Sequence, residues 1–438
     1  MTRTGLRTFG VAVAIVLGIS GCSLWEDEER LSGERINIRD QQSDLGAAGS
    51  ATGGPIPQAV SNPDWTQTNA QSSHASGHLA GPAALNRVWT ADAGSGGGDG
   101  AAITGAPIVV GGRVYTLDAE AQVSAIDASS GNVAWTVDLT PEGESGEDGF
   151  GGGLASNGSR IFVTTGFGEV VALDAASGEE AWRYRASSPF RAAPVVDSGL
   201  VVAVSRANRA VALATGTGQL IWRIDGISAT AGLLGGASPA ASGGLVVLPF
   251  ASGEVIGAQM ATGRRVWSAV LGGARRGLAR SSISDVTGDP VIAGRLVVTA
   301  NQSGRMVAID GQTGRRGWTR SVGSVGPIWV AGDSLYVVSD DATLQRLALG
   351  SGATIWRTEL PAFEDPEDRE DPIAYSGPVL AGGNLLVTDT LGTLHTFDPQ
   401  TGAPGPQADL TSGTTTGAVV ASGTVYVMSG DGNLQAFR

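Results

Sequence analysis

Few side chains in this sequence could carry out nucleophilic or metal chemistry, because it contains one cysteine and 3 histidines. His74 and His78 are four residues apart, a spacing that lets two imidazoles bind one metal ion on a helix. The residues around them are Ser, Gly and Gln, which do not predict a helix. We therefore expect these two histidines to be exposed, or docked against a folded domain, rather than to bind a metal.

A catalytic nucleophile with its base is not evident either. His395 lies in the alternating stretch GTLHTFD, which predicts a β-strand, and no serine occupies a G-x-S-x-G elbow. The segment FEDPEDREDP at residues 363–372 contains six carboxylates, enough for a weak calcium site. Two prolines and one arginine interrupt these acids without the spacing of a calcium loop, so we predict a solvated loop there.

The single cysteine has the sequence context of a modification site. Two arginines precede an apolar run at residues 9–19, which is typical of a targeting segment and too short for a comfortable membrane span. The run ends in ISGC, which resembles the lipobox of bacterial lipoproteins and implies removal of residues 1–21 and acylation of Cys22. Ser23, where a retained lipoprotein has Asp, implies sorting to the outer membrane. A plain secretory signal with an incidental cysteine is the alternative.

The stretch after this cysteine is predicted to be a tether. Residues 22–86 are rich in Gly, Ala, Ser, Gln and Pro and show no sustained period, which favours a lipid-anchored flexible segment. Two islands within it, residues 31–38 and 62–78, could dock onto the folded domain. The formal net charge is −14 and becomes −16 once residues 1–21 are removed with their two arginines. This acidic balance excludes nucleic acid as an expected partner.

A short repeat organises the rest of the chain. In AIDASSGNVAW, Asp127 is followed eight residues later by Trp135, and Gly131 lies four residues before that tryptophan. The spacing recurs from Asp174 to Trp182, and again further along the chain. Alternating apolar residues predict a strand up to the aspartate, the glycine favours a tight turn, and a second strand contains the tryptophan. Looser copies lose the acid, so we predict that the aspartate caps a turn and binds no metal.

The tryptophans of this repeat recur every 38 to 51 residues. Periods of this size, each with four short strands, indicate a β-propeller. We predict that the repeat tryptophans pack between adjacent blades and donate their N–H to a carbonyl of the neighbour. They are Trp89, Trp135, Trp182, Trp222, Trp267, Trp318 and Trp356. Trp329 departs from the repeat position and either faces the central channel or lies in the core.

The number of strand runs fixes the predicted size of the ring. The runs predicted to be second strands number eight, so we predict an all-β, eight-bladed propeller with four-stranded antiparallel blades over residues 87–438. Only three strands of the last blade lie at the C-terminus, and the N-terminal strand near Trp89 supplies the fourth. Closing the ring in this way removes free strand edges that would otherwise template aggregation.

The Ala-x-Asp-x-x-x-Gly-x-x-x-Trp hairpins resemble the repeat of pyrroloquinoline quinone (PQQ) dehydrogenases. This resemblance supports an alternative function, a PQQ-dependent or other periplasmic propeller that binds a small molecule. It also implies a vicinal cysteine pair over the cofactor, a calcium or lanthanide ion held by Glu, Asn and Asp, and an aspartate base. The chain has one cysteine, at the predicted lipid site. We therefore expect no cofactor, no metal and no catalysis.

The lipobox, the eight blades and the hairpin repeat together resemble the BamB family, lipoproteins of the outer-membrane β-barrel assembly machinery. The similarity covers the propeller and is sharpest at residues 233–356, for example in SISDVTGDPVIAGRLVV and SVGPIWVAGDSLYVVSDDATLQRLAL. It implies a non-enzymatic scaffold on the periplasmic side of the outer membrane. Such a scaffold binds the POTRA domains of the barrel-inserting subunit and assists barrel insertion, with nascent outer-membrane proteins as a further candidate partner.

The same resemblance implies where the partner binds. The family's contact loops correspond to residues 232–238 and 280–286, with Leu233 and Leu234 for apolar contact and Ser284 and Asp285 as polar anchors. The chain departs from the family pattern in this region, where a basic residue beside the leucines and a second acid at Thr287 are missing. We expect a shared binding mode with different individual contacts. The alternative is that the leucines fold back onto the fourth blade.

Overall fold

The computed structural model of the protein describes residues 51–98, 102–229, 232, 235–272 and 283–438. Within these ranges the strands form eight four-stranded antiparallel sheets and one two-stranded hairpin. Two short 3-10 helices span Thr68–Ala70 and Gly146–Gly149. The predicted all-β, eight-bladed propeller is confirmed.

The strands follow the order expected from the repeat. The first, β1 (Arg87–Asp92), pairs into the last blade. Blade 1 contains β2 (Ile108–Val110), β3 (Arg113–Leu117), β4 (Gln122–Asp127) and β5 (Val133–Asp138). Blade 2 contains β6 (Gly152–Ser156), β7 (Arg160–Thr165), β8 (Glu169–Asp174) and β9 (Glu180–Arg185). Blade 3 contains β10 (Val195–Asp197), β11 (Leu200–Ser205), β12 (Arg209–Ala214) and β13 (Leu220–Asp225). Blade 4 contains β14 (Ala240–Ser242), β15 (Leu245–Pro249), β16 (Glu254–Gln259) and β17 (Arg265–Val270).

The second half of the ring repeats this arrangement. Blade 5 contains β18 (Val286–Ala293), β19 (Leu296–Asn301), β20 (Arg305–Asp310) and β21 (Arg316–Arg320). Blade 6 contains β22 (Trp329–Ala331), β23 (Ser334–Ser339), β24 (Thr343–Ala348) and β25 (Thr354–Glu359). The hairpin β26 (Phe363–Asp365) and β27 (Glu370–Pro372) precedes blade 7. Blade 7 contains β28 (Tyr375–Ala381), β29 (Asn384–Asp389), β30 (Thr393–Phe397) and β31 (Pro404–Asp409). Blade 8 contains β32 (Val419–Ala421), β33 (Thr424–Met428) and β34 (Asn433–Phe437).

The ring is closed by pairing of the first strand with the last. Strand β1 is antiparallel to β34, with Thr90 opposite Gln435. Asn86 and Arg438 extend the ladder by exchanging two backbone hydrogen bonds of 3.0 and 2.9 Å. Because the closing strand and blade 8 come from opposite ends of the propeller, opening the ring requires breaking this ladder. The predicted closure by the strand near Trp89 is confirmed.

The hairpin aspartates accept hydrogen bonds from the turns that they begin. Asp127 Oδ1 accepts the backbone N–H groups of Ser129 and Ser130 at 3.0 and 2.9 Å. The hydroxyls of these two serines also donate to it and lower the pKa of Asp127 to about 2. Gly131 follows with φ of 76°, a left-handed conformation that disfavours a side chain. The aspartate is therefore held by the local turn.

The repeat tryptophans interlock neighbouring blades. A Cβ added to Gly218 in blade 3 would lie 2.6 Å from the ring of Trp182 in blade 2, so glycine leaves room for the indole. The indole N–H of Trp182 donates to Thr215 O at 2.9 Å. The other tryptophans that donate to a carbonyl of the next blade are Trp135, Trp222, Trp267, Trp318 and Trp356. Trp89 packs in the same way against Gly131, but its buried N–H has no hydrogen-bond partner among the described residues.

The structure differs from the predicted tether over residues 51–86. Residues 54–82, here called the belt, pack against the propeller, and Trp65, His74 and Leu79 are buried. The second predicted island, residues 62–78, is therefore docked, as its composition left open. The first island and the rest of residues 22–50 lie outside the described residues. Trp329, whose position was left open between channel and core, is buried against Trp65 of the belt.

Candidate partner-binding face

The two faces of the ring are built from different connections. In a four-stranded antiparallel blade, the turns that join strands one to two and three to four lie at one face. The turn between strands two and three lies at the other face, together with the link to the next blade. We call this second face the loop face, because the links include the predicted contact segments 232–238 and 280–286. The opposite face, where the belt lies, is the belt face.

A buried ion pair organises the loop face between blades 3 and 5. Arg191, in the link that precedes β10, donates to both carboxylate oxygens of Asp285 at 2.7 and 3.1 Å. Asp285 is fully buried, and 11% of the Arg191 side chain is exposed. Asp285 therefore differs from the exposed anchor implied by the family resemblance. Its carboxylate holds two links together and is not displayed to a partner.

Glycines in the link between blades 3 and 4 let it approach this pair. A Cβ at Gly232 would lie 2.7 Å from Nη1 of Arg191 and 3.1 Å from Oδ2 of Asp285. A Cβ at Gly236 would lie 3.1 Å from Nη2 of the same arginine. The guanidinium is fixed by two hydrogen bonds, so a side chain at Gly232 would displace either the arginine or the link. These glycines flank the two candidate contact leucines in sequence.

The start of the same link is fixed through its backbone while its side chain stays in solvent. Ile227 N donates to Glu254 Oε2 at 3.0 Å, and Ile227 O accepts from Asn208 Nδ2 at 2.6 Å. Ser268 Oγ donates to the other oxygen of the buried Glu254 at 2.9 Å. The Ile227 side chain is 57% exposed. An apolar side chain on a fixed backbone contacts a partner with little loss of conformational entropy.

Of the four predicted contact residues, two are visible in the described part of the chain. Ser284 is exposed beside buried Asp285. Its neighbour Ile283 accepts a hydrogen bond from Gln302 Nε2 at 2.9 Å through its carbonyl oxygen. Leu233 and Leu234 lie outside the described residues. The contact roles of Ser284 and of the two leucines stay predictions from the sequence.

The other candidate groups occupy separate places. His395 Nε2 lies 2.7 Å from Asp389 Oδ2, and its Nδ1 accepts from Gln407 at 3.0 Å, within blade 7. His74 Nδ1 donates to Pro290 O at 2.8 Å, and His78 Nδ1 donates to Pro57 O at 2.7 Å. Each histidine therefore has a structural partner.

The acidic segment 363–372 forms the exposed hairpin β26–β27. Among the described residues, no group of three or more His, Cys, Asp or Glu is arranged to hold a metal ion. In the same part of the chain, no helix has the length and apolarity to cross a bilayer.

Sequence reasoning did not identify Arg191, Glu254 or Ile227 as part of this face. Arg191 and Ile227 lie in links and Glu254 is the first residue of β16, and at these positions the alternation that predicts strands gives no information about contacts. The available signal was an arginine within the otherwise small and apolar stretch PFRAAP just before an inner strand. An arginine there is expected to need a buried acceptor, but the sequence does not show which acid supplies it.

The hairpin repeat and the interlocked blades define a propeller of the PQQ-like repeat class. The family model described as "Outer membrane protein assembly factor BamB" matches residues 76–145, 119–358 and 350–438. The chain belongs to this family.

Individual proteins agree with the family assignment. The outer membrane protein assembly factor BamB of Yersinia pestis is 26% identical over 356 residues, which cover 80% of this chain and 88% of the relative. The crystal structure of BamB from Moraxella catarrhalis has a TM-score of 0.67 at 20% identity and covers 81% of this chain and 100% of that one.

A redox enzyme shares the fold. The quinohemoprotein alcohol dehydrogenase of Comamonas testosteroni has a TM-score of 0.66 at 14% identity and covers 91% of this chain and 84% of the enzyme. This second similarity concerns the fold alone.

Proposed function

We propose that this protein is a non-enzymatic scaffold in outer-membrane protein assembly, held at the periplasmic side of the outer membrane by lipid on Cys22. Membership of a family described as an outer membrane protein assembly factor supports this function. The loop face between blades 3 and 5 binds the POTRA region of the barrel-inserting subunit. Leu233, Leu234 and Ile227 supply apolar contact, and Ser284 supplies a polar contact at the rim.

The observation that carries this proposal is the internal support of the loop face. Arg191 and Asp285 hold links that are separated in sequence, and Glu254 and Asn208 fix the backbone of Ile227. A surface fixed before binding keeps its shape in the complex and loses less entropy on association.

Co-purification from gently solubilised outer membrane tests the scaffold directly. The wild-type protein is expected to float with the outer membrane and to co-purify with the barrel-inserting subunit. Cys22→Ala removes the acylation site, and the variant is expected in the soluble fraction or uncleaved. Without this cysteine it lacks the several acyl chains that firm anchoring requires. Recovery of the wild type, unacylated, in the soluble periplasmic fraction would contradict the anchor. Absence of the barrel-inserting subunit from the purified material would contradict the scaffold.

The shared fold with a quinohemoprotein alcohol dehydrogenase favours a small-molecule site as the second candidate function. The sequence has one cysteine, so it lacks the vicinal pair that the dehydrogenase resemblance implies. Incubation of the purified protein with PQQ and calcium followed by gel filtration separates the two functions. The scaffold predicts no retained cofactor and no oxidation of alcohols or sugars. Stoichiometric retention would favour the redox function.

A further inference from the structure

The belt runs once around the channel and contacts the inner strand of every blade in ring order. At blade 8, Asn62 Nδ2 donates to Val420 O at 2.7 Å, and at blade 1, Trp65 and Val109 exchange two backbone hydrogen bonds of 2.7 and 2.8 Å. At blade 2, Thr66 O accepts from Ser156 N at 2.8 Å. At blade 3, the Gln67 amide bonds the backbone N and O of Val196 at 2.7 and 2.8 Å. The next four contacts join Ser72 O to Ala241 N at 2.7 Å, Ser73 O to Ile292 N at 2.9 Å, Gly77 N to Val330 O at 3.2 Å, and Leu79 N to Leu380 O at 3.0 Å. These contacts visit blade 8 and then blades 1 to 7.

The belt also closes on itself. Val60 N donates to His78 O at 2.9 Å, and Ala80 N donates to Val60 O at 2.7 Å. The two ends of the circuit are thus joined beside blade 7. A segment packed nonspecifically on the surface would not be expected to contact each blade once and then pair with its own beginning.

The inner strands explain why a peptide binds here. Each inner strand pairs with the second strand of its blade and has no strand partner on its channel side within the described residues. That edge leaves backbone N–H and C=O groups unpaired, and a buried unpaired group costs about 1–3 kcal/mol. The belt supplies the missing partners near the end of each inner strand. In doing so it adopts left-handed backbone at Asn69, Ala70 and His74, so the ring imposes the belt's conformation.

Side chains of the belt fill the middle of the mouth. Trp65 is bonded to blade 1, and its ring stacks on Trp329 of blade 6 with centroids 5.9 Å apart and an angle of 21°. Trp329 Nε1 donates to Gly77 O at 2.7 Å. Both indoles are buried, and so is the Gln67 amide that pairs with blade 3. The stacked pair therefore lies across the channel mouth between blades that are not neighbours.

We infer that the belt-face mouth of this propeller is a peptide-binding site and that residues 54–82 are its resident ligand. The site takes an extended, mostly uncharged peptide through backbone hydrogen bonds from all eight inner strands. Two contacts select the peptide's sequence: the Trp65 indole stacks on Trp329, and the Gln67 amide pairs with the backbone N and O of Val196. With its own belt bound, this mouth is closed, and partners reach the propeller from the loop face.

Cleavage of the folded full chain tests whether the belt is a separable ligand. A protease recognition sequence inserted at exposed Ala83 and Ala84 allows the belt to be cut from the propeller after folding. The cut belt is expected to stay bound during gel filtration. It should exchange with a fluorescent synthetic peptide of residues 54–82, while the circular dichroism of the propeller stays unchanged.

Two glutamines of the belt provide a matched pair of peptides. Gln67→Ala removes the buried amide and is expected to speed dissociation roughly tenfold, as the loss of about one buried hydrogen-bonded pair predicts. Gln58→Ala changes an exposed residue and should dissociate like the native peptide. Equal rates for the two variants, or immediate separation of the cut belt, would overturn the inference. Capture of the barrel-inserting subunit by the cut protein reports separately on the loop face. If the cut protein keeps its belt but no longer captures that subunit, the result counts against the proposed function and not against the belt as a ligand.

Discussion

Arg191 and Asp285 are 94 residues apart in sequence, yet they form a two-point ion pair with N–O distances of 2.7 and 3.1 Å. The pair joins the link before blade 3 to the link before blade 5. Because Asp285 is fully buried, loss of the arginine would remove two hydrogen bonds from a carboxylate that solvent does not reach. The shape of the loop face between blades 3 and 5 therefore depends on this pair.

Breaking the pair from either side should destabilise the fold. Arg191→Met or Asp285→Asn is expected to lower the free energy of unfolding by about 3–5 kcal/mol, since each breaks a buried ion pair held by two hydrogen bonds. The double variant Arg191→Met with Asp285→Asn should lose less free energy of unfolding than the sum of the losses in the two single variants. Urea unfolding of the four proteins measures the coupling free energy.

The exposed pair Arg209 and Asp225 is the control for this cycle. Its atoms lie 2.6 Å apart, but both side chains are at least 36% exposed. Its removal should change the free energy of unfolding by about 0.2–1 kcal/mol. If the variant at Asp285 loses no more free energy of unfolding than the variant at Asp225, the buried pair does not stabilise the loop face.

The indole hydrogen bonds between blades should be measurable by comparing two tryptophans. Trp182 donates to Thr215 O, whereas the buried N–H of Trp89 has no acceptor in the part of the chain that the structure describes. Trp182→Phe is therefore expected to lower the free energy of unfolding by about 0.5–1.5 kcal/mol more than Trp89→Phe. Urea unfolding at constant m-value gives the difference. A larger loss for Trp89→Phe would mean that packing alone, and not the hydrogen bond, distinguishes the sites.

His74 in the belt and Asp289 in β18 of blade 5 have pKa values shifted in opposite directions, so they give opposite pH dependences. Burial raises the pKa of Asp289 from 3.8 to about 7, and its carboxylate accepts a hydrogen bond from Ser238 N at 2.7 Å. Burial lowers the pKa of His74 from 6.5 to about 4. Stability from protonated Asp289 is present below pH 3.8 and lost as pH rises towards and through 7. Stability from neutral His74 is present above pH 6.5 and lost as pH falls towards and through 4.

These two dependences oppose each other between pH 4 and 6.5, so the pair contributes little net slope there. Asp289→Asn removes one of them. In this variant the free energy of unfolding is expected to fall more steeply than in the wild type as pH drops from 6.5 to 4, because only His74 then responds. As the pH rises from 5 to 8, the free energy of unfolding of the variant should also fall less than that of the wild type. Identical pH profiles for the variant and the wild type would contradict the raised pKa of Asp289.

Much of the fold was predictable because its determinants are local. The strand alternation, the Asp127 turn and the glycine before each tryptophan all lie within one hairpin, so eleven residues predict each unit. The ring closure followed from counting strands at both termini. Strand β31 has no tryptophan, but the neighbouring strands of blade 7 still identify the blade.

The belt and the burial of Asp285 could not be predicted in the same way. The belt has no period, because each of its contacts is with a different blade and is made largely through backbone atoms that any sequence has. Composition alone therefore predicted a tether over residues 22–86 and left open that the island at residues 62–78 could dock. Asp285 looked exposed because its acceptor role depends on Arg191, which lies two blades earlier.

Binding of the purified POTRA region of the barrel-inserting subunit tests the loop face most directly. The double variant Leu233→Ala with Leu234→Ala changes the predicted apolar contact between blades 3 and 4. Leu391→Ala is the control, because Leu391 is 49% exposed on the same face but belongs to blade 7, on the opposite side of the ring. The double variant is expected to weaken binding by about 1–3 kcal/mol, while its melting temperature and the affinity of the control stay close to wild type. Unchanged affinity in the double variant, or equal weakening by Leu391→Ala, would contradict binding through the loops of blades 3 to 5.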